Sequence, residues 1–124
     1  MKEEILYQEL TGSIIGACME VHKELGFGFL ENVYEKALLI VLQEKGLSFQ
    51  KQSRFDVRFR DHVIGDFLAD LIIENCVLVE LKAVSTLRPE FEAQIINYLK
   101  ATGIRVGLLV NFGRSKLEWK RFIF

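Results

Sequence analysis

The chain has 124 residues, half of them hydrophobic, with ten Phe and a formal net charge of -1 from 16 Lys and Arg against 17 Asp and Glu. That length predicts a single domain over residues 1–124, with a sizeable core and no separate recognition domain, and the apolar content excludes a disordered chain. The charge balance speaks against tight non-specific binding of nucleic acid, which rests on phosphate neutralisation.

A first helix is expected from Thr11 to Leu25, with Ile14, Ile15, Cys18, Met19, His22 and Leu25 on one apolar stripe and Gly26 as its stop. A second runs from Leu30 to Lys45, with Val33, Tyr34, Ala37, Leu38, Val41 and Leu42 facing inward. Period-two patterning follows. Phe49 to Phe59 reads as a strand, weakened and bulged near the polar Gln52. A turn at Arg60-Asp61-His62 leads to two apolar strands, Val63 to Ile73 and Cys76 to Val84. Pro89 opens a third helix carrying Phe91, Ile95, Tyr98 and Leu99, which Gly103 ends. Arg105 to Asn111 and Leu117 to Phe124 complete the strands. The order ααβββαββ predicts an α/β fold, a mixed central sheet with helices on both faces, in which the helical crossover sets strand four parallel to strand three.

Cys18 and Cys76 have neither disulfide nor metal-ligand spacing and read as small core residues. No apolar run reaches transmembrane length, and Lys2-Glu3-Glu4 leads into a helix rather than a signal peptide. A cytoplasmic protein without a membrane partner is expected.

The most informative residues are Asp70 and Glu80-Leu81-Lys82, set inside the two apolar strands. Acidic residues are almost never fully buried unless something pairs with them. Alternation puts Glu80 and Lys82 on one side of the sheet and Leu81 on the other. Whether Asp70 joins them depends on the hairpin. A two-residue loop at Glu74-Asn75 would turn Glu80 away, whereas a three-residue loop at Glu74-Asn75-Cys76 sets Asp70 opposite Glu80 and Leu68 opposite Lys82. Two carboxylates and an ammonium on one surface suit Mg²⁺ or Mn²⁺ and point to metal-assisted phosphodiester chemistry. The rival reading is a structural ion-pair network. His22 fits a core or helix-end histidine, and Gly26 and Gly28 are no phosphate-binding loop, because no strand precedes them.

Longer motifs surround these residues: Val21-His22-Lys23-Glu24-Leu25-Gly26, Gly28-Phe29-Leu30-Glu31-Asn32-Val33-Tyr34, Ala69-Asp70, Val79-Glu80-Leu81-Lys82-Ala83, Gln94-Ile95-Ile96-Asn97-Tyr98-Leu99 and Gly107 to Gly113. With them the chain resembles the PD-(D/E)XK nuclease superfamily, and within it the group named for a GxxExxY signature. The resemblance implies a restriction-endonuclease-like core in which Asp70 and Glu80 bind Mg²⁺ or Mn²⁺ and Lys82 positions or polarises the attacking water. It also implies that Glu31 completes the metal site from an early helix, that Gln94 contacts water or phosphate, and that Tyr98 stands one turn further along the same helix face. The Leu81 carbonyl is a further oxygen ligand on this reading. The superfamily's proline is replaced by Ala69, which removes no ligand.

By local sequence alone, Glu31 reads as a solvated helix residue, with the like-charged Glu35 at i+4 no help, and Gln94 and Tyr98 can also be read as the cap of a core face. The leading reading is therefore a nuclease acting on DNA or RNA, its rival a catalytically silent module that keeps the fold to bind nucleic acid or protein, and a third a metal-dependent hydrolase of another phosphate ester. A two-fold homodimer is expected, because a small core with many apolar aromatics needs help both to cover surface and to engage a duplex. The near-neutral charge adds the expectation of a partner protein for recognition.

Overall fold

In the computed structural model residues 2–124 are described, with side-chain surroundings from residue 7 onward. Helix α1 (Lys2–Leu25) begins at Lys2 rather than Thr11. Neither Gly nor Pro interrupts the segment before Thr11, and Tyr7 and Leu10 continue the apolar stripe onto the core. Gly26, at φ 70°, supplies the left-handed stop. Helix α2 (Glu31–Glu44) follows, burying Tyr34, Leu38 and Leu42, with Leu30 and Lys45 as its flanking caps.

Five strands form one sheet in the order β1-β2-β3-β4-β5: β1 (Phe49–Phe59), β2 (His62–Ile73), β3 (Val77–Lys82), β4 (Val106–Asn111) and β5 (Glu118–Ile123). Helix α3 (Pro89–Thr102) carries the chain from β3 to β4, which pair in parallel; the other neighbours are antiparallel. The mixed sheet between helical layers is the α/β arrangement expected. Val77, Val79 and Leu81 of β3 pack with α1 and α2, while Leu78 packs with Ile95 and Leu99 of α3. Burial on both faces explains why β3 is so apolar.

Strand β3 ends at Lys82, two positions before the expected Val84. Beyond it the buried Asn111 side chain takes over the pairing: its Oδ1 accepts from the Val84 N–H at 2.9 Å, and its Nδ2 donates to the Val84 carbonyl at 2.9 Å.

The β2–β3 hairpin has the odd loop. Ile73 pairs with Val77 across Glu74-Asn75-Cys76, and Glu74 and Asn75 take left-handed φ values of 52° and 57°. Backbone pairing runs only as far as Leu71 with Val79, so Leu68 and Lys82 are not ladder partners. The strands part at Asp70 and Glu80. A second irregularity meets the first there. Gln52 has φ 50°, and the β1–β2 register passes from Lys51–Leu71 to Ser53–Ala69 without a pair between Gln52 and Asp70. Phe49 packs on the α1/α2 side but Phe55, an even number of residues on, packs on the α3 side, so the ribbon changes face at this pivot. The register shift itself lies further out, between Val57 and Arg58.

Candidate active site

Where the two strands part, side chains replace the missing backbone bonds. The Asp70 N–H donates to Glu80 Oε2 at 3.1 Å, and the Leu81 N–H donates to Asp70 Oδ2 at 2.8 Å. Each carboxylate thus satisfies a backbone donor of the opposite strand, which answers the demand that backbone polar groups stay paired. It also leaves Asp70 Oδ1 and Glu80 Oε1 free of those bonds. Glu80 is only 5% exposed. Burial, helped by a proton shared with Asp70 and by the Asp70 charge, pushes its carboxyl up to about 9, against the smaller opposing pull of the Asp70 N–H and the Lys82 charge.

Lys82 stands on the α3 side of β3 with Glu80. Its Nζ lies 4.5 Å from the centroid of the Phe91 ring, and among the described residues it forms no ion pair. Its charge still pulls the Glu80 carboxyl down, so it acts on the cluster from beyond contact distance. Helix α3 contributes Gln94 and Tyr98, neighbours one turn apart. The Tyr98 hydroxyl is held above its ordinary range, first by burial and then by the charges of Glu80 and Asp70, with a hydrogen bond from Gln94 pulling the other way. Asp70, Glu80, Lys82, Gln94 and Tyr98 are thereby gathered at one end of β3.

Glu31 is placed differently. It opens α2, in the layer on the other side of the sheet, and is exposed. One turn on, Glu35 accepts a 3.4 Å bond from Gln52 Nε2, and Gln52 occupies the β1 position facing Asp70. Among the described residues no three Asp, Glu, His or Cys side chains gather as a metal-binding group.

Two neighbours were missed in the sequence. Phe91, which carries the Lys82 ammonium, stands one turn before Gln94 on α3, a helical spacing that was available as a signal. Phe67 stacks on Tyr98 with centroids 3.8 Å apart and planes 3° apart. Its place on the α3 face depends on the pivot at Gln52, which alternation does not reveal. Cys18 is buried with its thiol pushed up to about 12 by desolvation, which suits a core residue.

The donor chemistry fits a hard divalent cation: two carboxyl groups side by side, each with one oxygen not taken by a backbone N–H.

The sequence profile of the PD-(D/E)XK nuclease superfamily matches residues 8–122. Among curated proteins none matches. The solved structure of SSO0001 superposes with a TM-score of 0.59 over 74% of this chain and 48% of that one, at 16% sequence identity. At that identity the likeness speaks for the fold alone, and the chain spans about half the length of that protein. Asp70, followed across the hairpin by Glu80-Leu81-Lys82, lies within the matched span, and the mixed sheet holds the two carboxylates together. By its sequence and its fold, this chain belongs to the PD-(D/E)XK nuclease superfamily.

Proposed function

We propose that the chain is a divalent-metal-dependent nuclease that hydrolyses phosphodiester bonds in nucleic acid. The observation that carries this reading is the carboxyl pair at the parting of β2 and β3, crossed by two backbone N–H bonds and flanked by the Lys82 ammonium. Asp70, Glu80 and the Leu81 carbonyl would hold Mg²⁺ or Mn²⁺. The ion would supply polarisation of the phosphoryl group and acidify the attacking water. Lys82, held over Phe91, would meet an incoming phosphate oxygen or orient the water. The Gln94 amide and Tyr98 hydroxyl fix the position of that water or of a phosphate oxygen. Glu31 is the least supported member of the set, since Glu35 has the link through Gln52 to the strand position facing Asp70. We further propose a homodimer, on the exposed Phe59, Val63, Ile64 and Leu68 of the β1–β2 ribbon.

One observation favours the silent binding module instead: among the described residues no three Asp, Glu, His or Cys side chains gather as a metal-binding group. A panel of single- and double-stranded DNA and RNA with Mg²⁺ or Mn²⁺, run beside Lys82→Ala, separates the two. The nuclease reading expects metal-dependent cleavage that Lys82→Ala lowers by about 10²-fold or more at unchanged melting temperature. No cleavage by the parent, or equal cleavage by the variant, overturns it.

A further inference from the structure

A cleft of about 880 Å³ lies between the β1–β2 ribbon and α3, within the range of about 300–1,000 Å³ typical of ligand sites. Tyr98 lines it and also feels the charges of Glu80 and Asp70, so the cleft and the carboxylate pair meet at this one residue. Its wall is aromatic. Phe55 stacks on Phe67 at 5.6 Å and 23°, and Phe67 on Tyr98 at 3.8 Å and 3°, a column of three rings. The polar groups are balanced: Arg58 and Lys100 are cationic, Asp56 and Asp66 anionic, and Asn97 adds an amide. Arg58 already lies 3.9 Å from Asp56, and Asp66 is paired with Arg54.

Balanced charge argues against a site built for phosphate, which gathers cations. An aromatic column beside an amide and carboxylates suits a flat, neutral ring with hydrogen-bonding edges. Such a ring extends the column by stacking, and the amide and carboxylate oxygens meet its N–H groups. Bases inside a duplex are already stacked on their neighbours and do not reach a lateral cleft without being extruded.

We propose that this cleft binds an unpaired nucleobase next to the scissile phosphate, so that single-stranded nucleic acid is the substrate class. The inference rests on the nuclease reading of the adjoining site. Asn97 and Ala101 are exposed positions on α3 that line the cleft and lie outside the carboxylate cluster, so they are open to substitution. Ala101→Trp narrows the cleft, and Asn97→Ala removes its amide.

The experiment is titration of the metal-free protein with short DNA and RNA oligonucleotides carrying 2-aminopurine, single-stranded or paired, alongside cleavage of the same strands with Mn²⁺. Circular dichroism melts establish that the variants are folded. The expected result is quenching by single strands, with affinity about tenfold or more weaker for their duplexes and for Ala101→Trp, the size of one lost base stack. Stronger quenching by DNA or by RNA identifies the source. Quenching that Lys82→Ala retains, even if the parent cleaves nothing, supports the cleft while the nuclease reading fails. Single-strand cleavage and affinity unchanged in a folded Ala101→Trp overturn the cleft while the nuclease reading stands. Equal affinity for duplex and single strand overturns it as well.

Discussion

A glutamate that is 5% exposed and pressed against an aspartate has a calculable effect on stability. Below the usual carboxylate value of 4.5, Glu80 is protonated whether the chain is folded or not. From there up to about 9, the folded state holds a proton that the unfolded chain has released, so stability falls as pH rises, by at most about 1.4 kcal/mol per pH unit. Glu80→Gln keeps an acceptor for the Asp70 N–H and has no proton to release. Its denaturant midpoint is therefore expected to be flatter than the parent's between about pH 5 and about pH 9, and higher at the alkaline end. Urea unfolding across that window checks this. An equal pH slope in the variant would contradict the assigned burial of the charge.

At the scale of elements, the glycine- and tyrosine-bearing signature acts through packing. The Tyr34 hydroxyl donates to the Gly26 carbonyl at 2.7 Å and accepts from the Phe29 N–H at 3.2 Å, which fixes the loop before α2, where Gly28 takes φ 116°. Its ring stacks on Phe112 at 4.6 Å, and the Phe112 N–H donates to the Lys82 carbonyl at 2.8 Å. The α1–α2 loop thus supports the end of β3 that carries Lys82. Tyr34→Phe, which strands the Gly26 carbonyl and the Phe29 N–H, is expected to cost about 1–3 kcal/mol. Thermal unfolding measures it, and a variant as stable as the parent would show the loop to be idle. Alternation along β3 was legible in the sequence because it follows from side-chain period. Turn chemistry left two loop lengths open, and only the need to bring Asp70 beside Glu80 singled out the three-residue one. The pivot at Gln52 and Asp70 was not legible, since a single left-handed residue moves Phe55 and Phe67 to the α3 face without altering their spacing. The seat of Lys82 on Phe91 was hidden for another reason, that it depends on how α3 returns over the sheet.

For the whole molecule, the sheet and its two helical layers follow from the order of elements, while assembly does not. The β1–β2 ribbon extends past β3 and exposes Phe59, Val63, Ile64 and Leu68. Self-association through this apolar surface is expected in sedimentation at micromolar concentration, and a strictly monomeric mass would count against it. No described helix is long and apolar enough to cross a membrane. The central claim is that the parting of β2 and β3 is a cation site, and melting of the parent and Asp70→Asn with and without Mn²⁺ tests it most directly. A cation that binds only the folded state stabilises the parent by about 2.7 kcal/mol at a hundredfold excess over its dissociation constant. Asp70→Asn keeps an acceptor for the Leu81 N–H and removes the charge that helps to hold the proton on Glu80. It should be at least as stable as the parent without metal and gain little from it. A parent whose melting temperature does not move at millimolar Mn²⁺, or an Asp70→Asn variant that gains as much as the parent, would contradict the account.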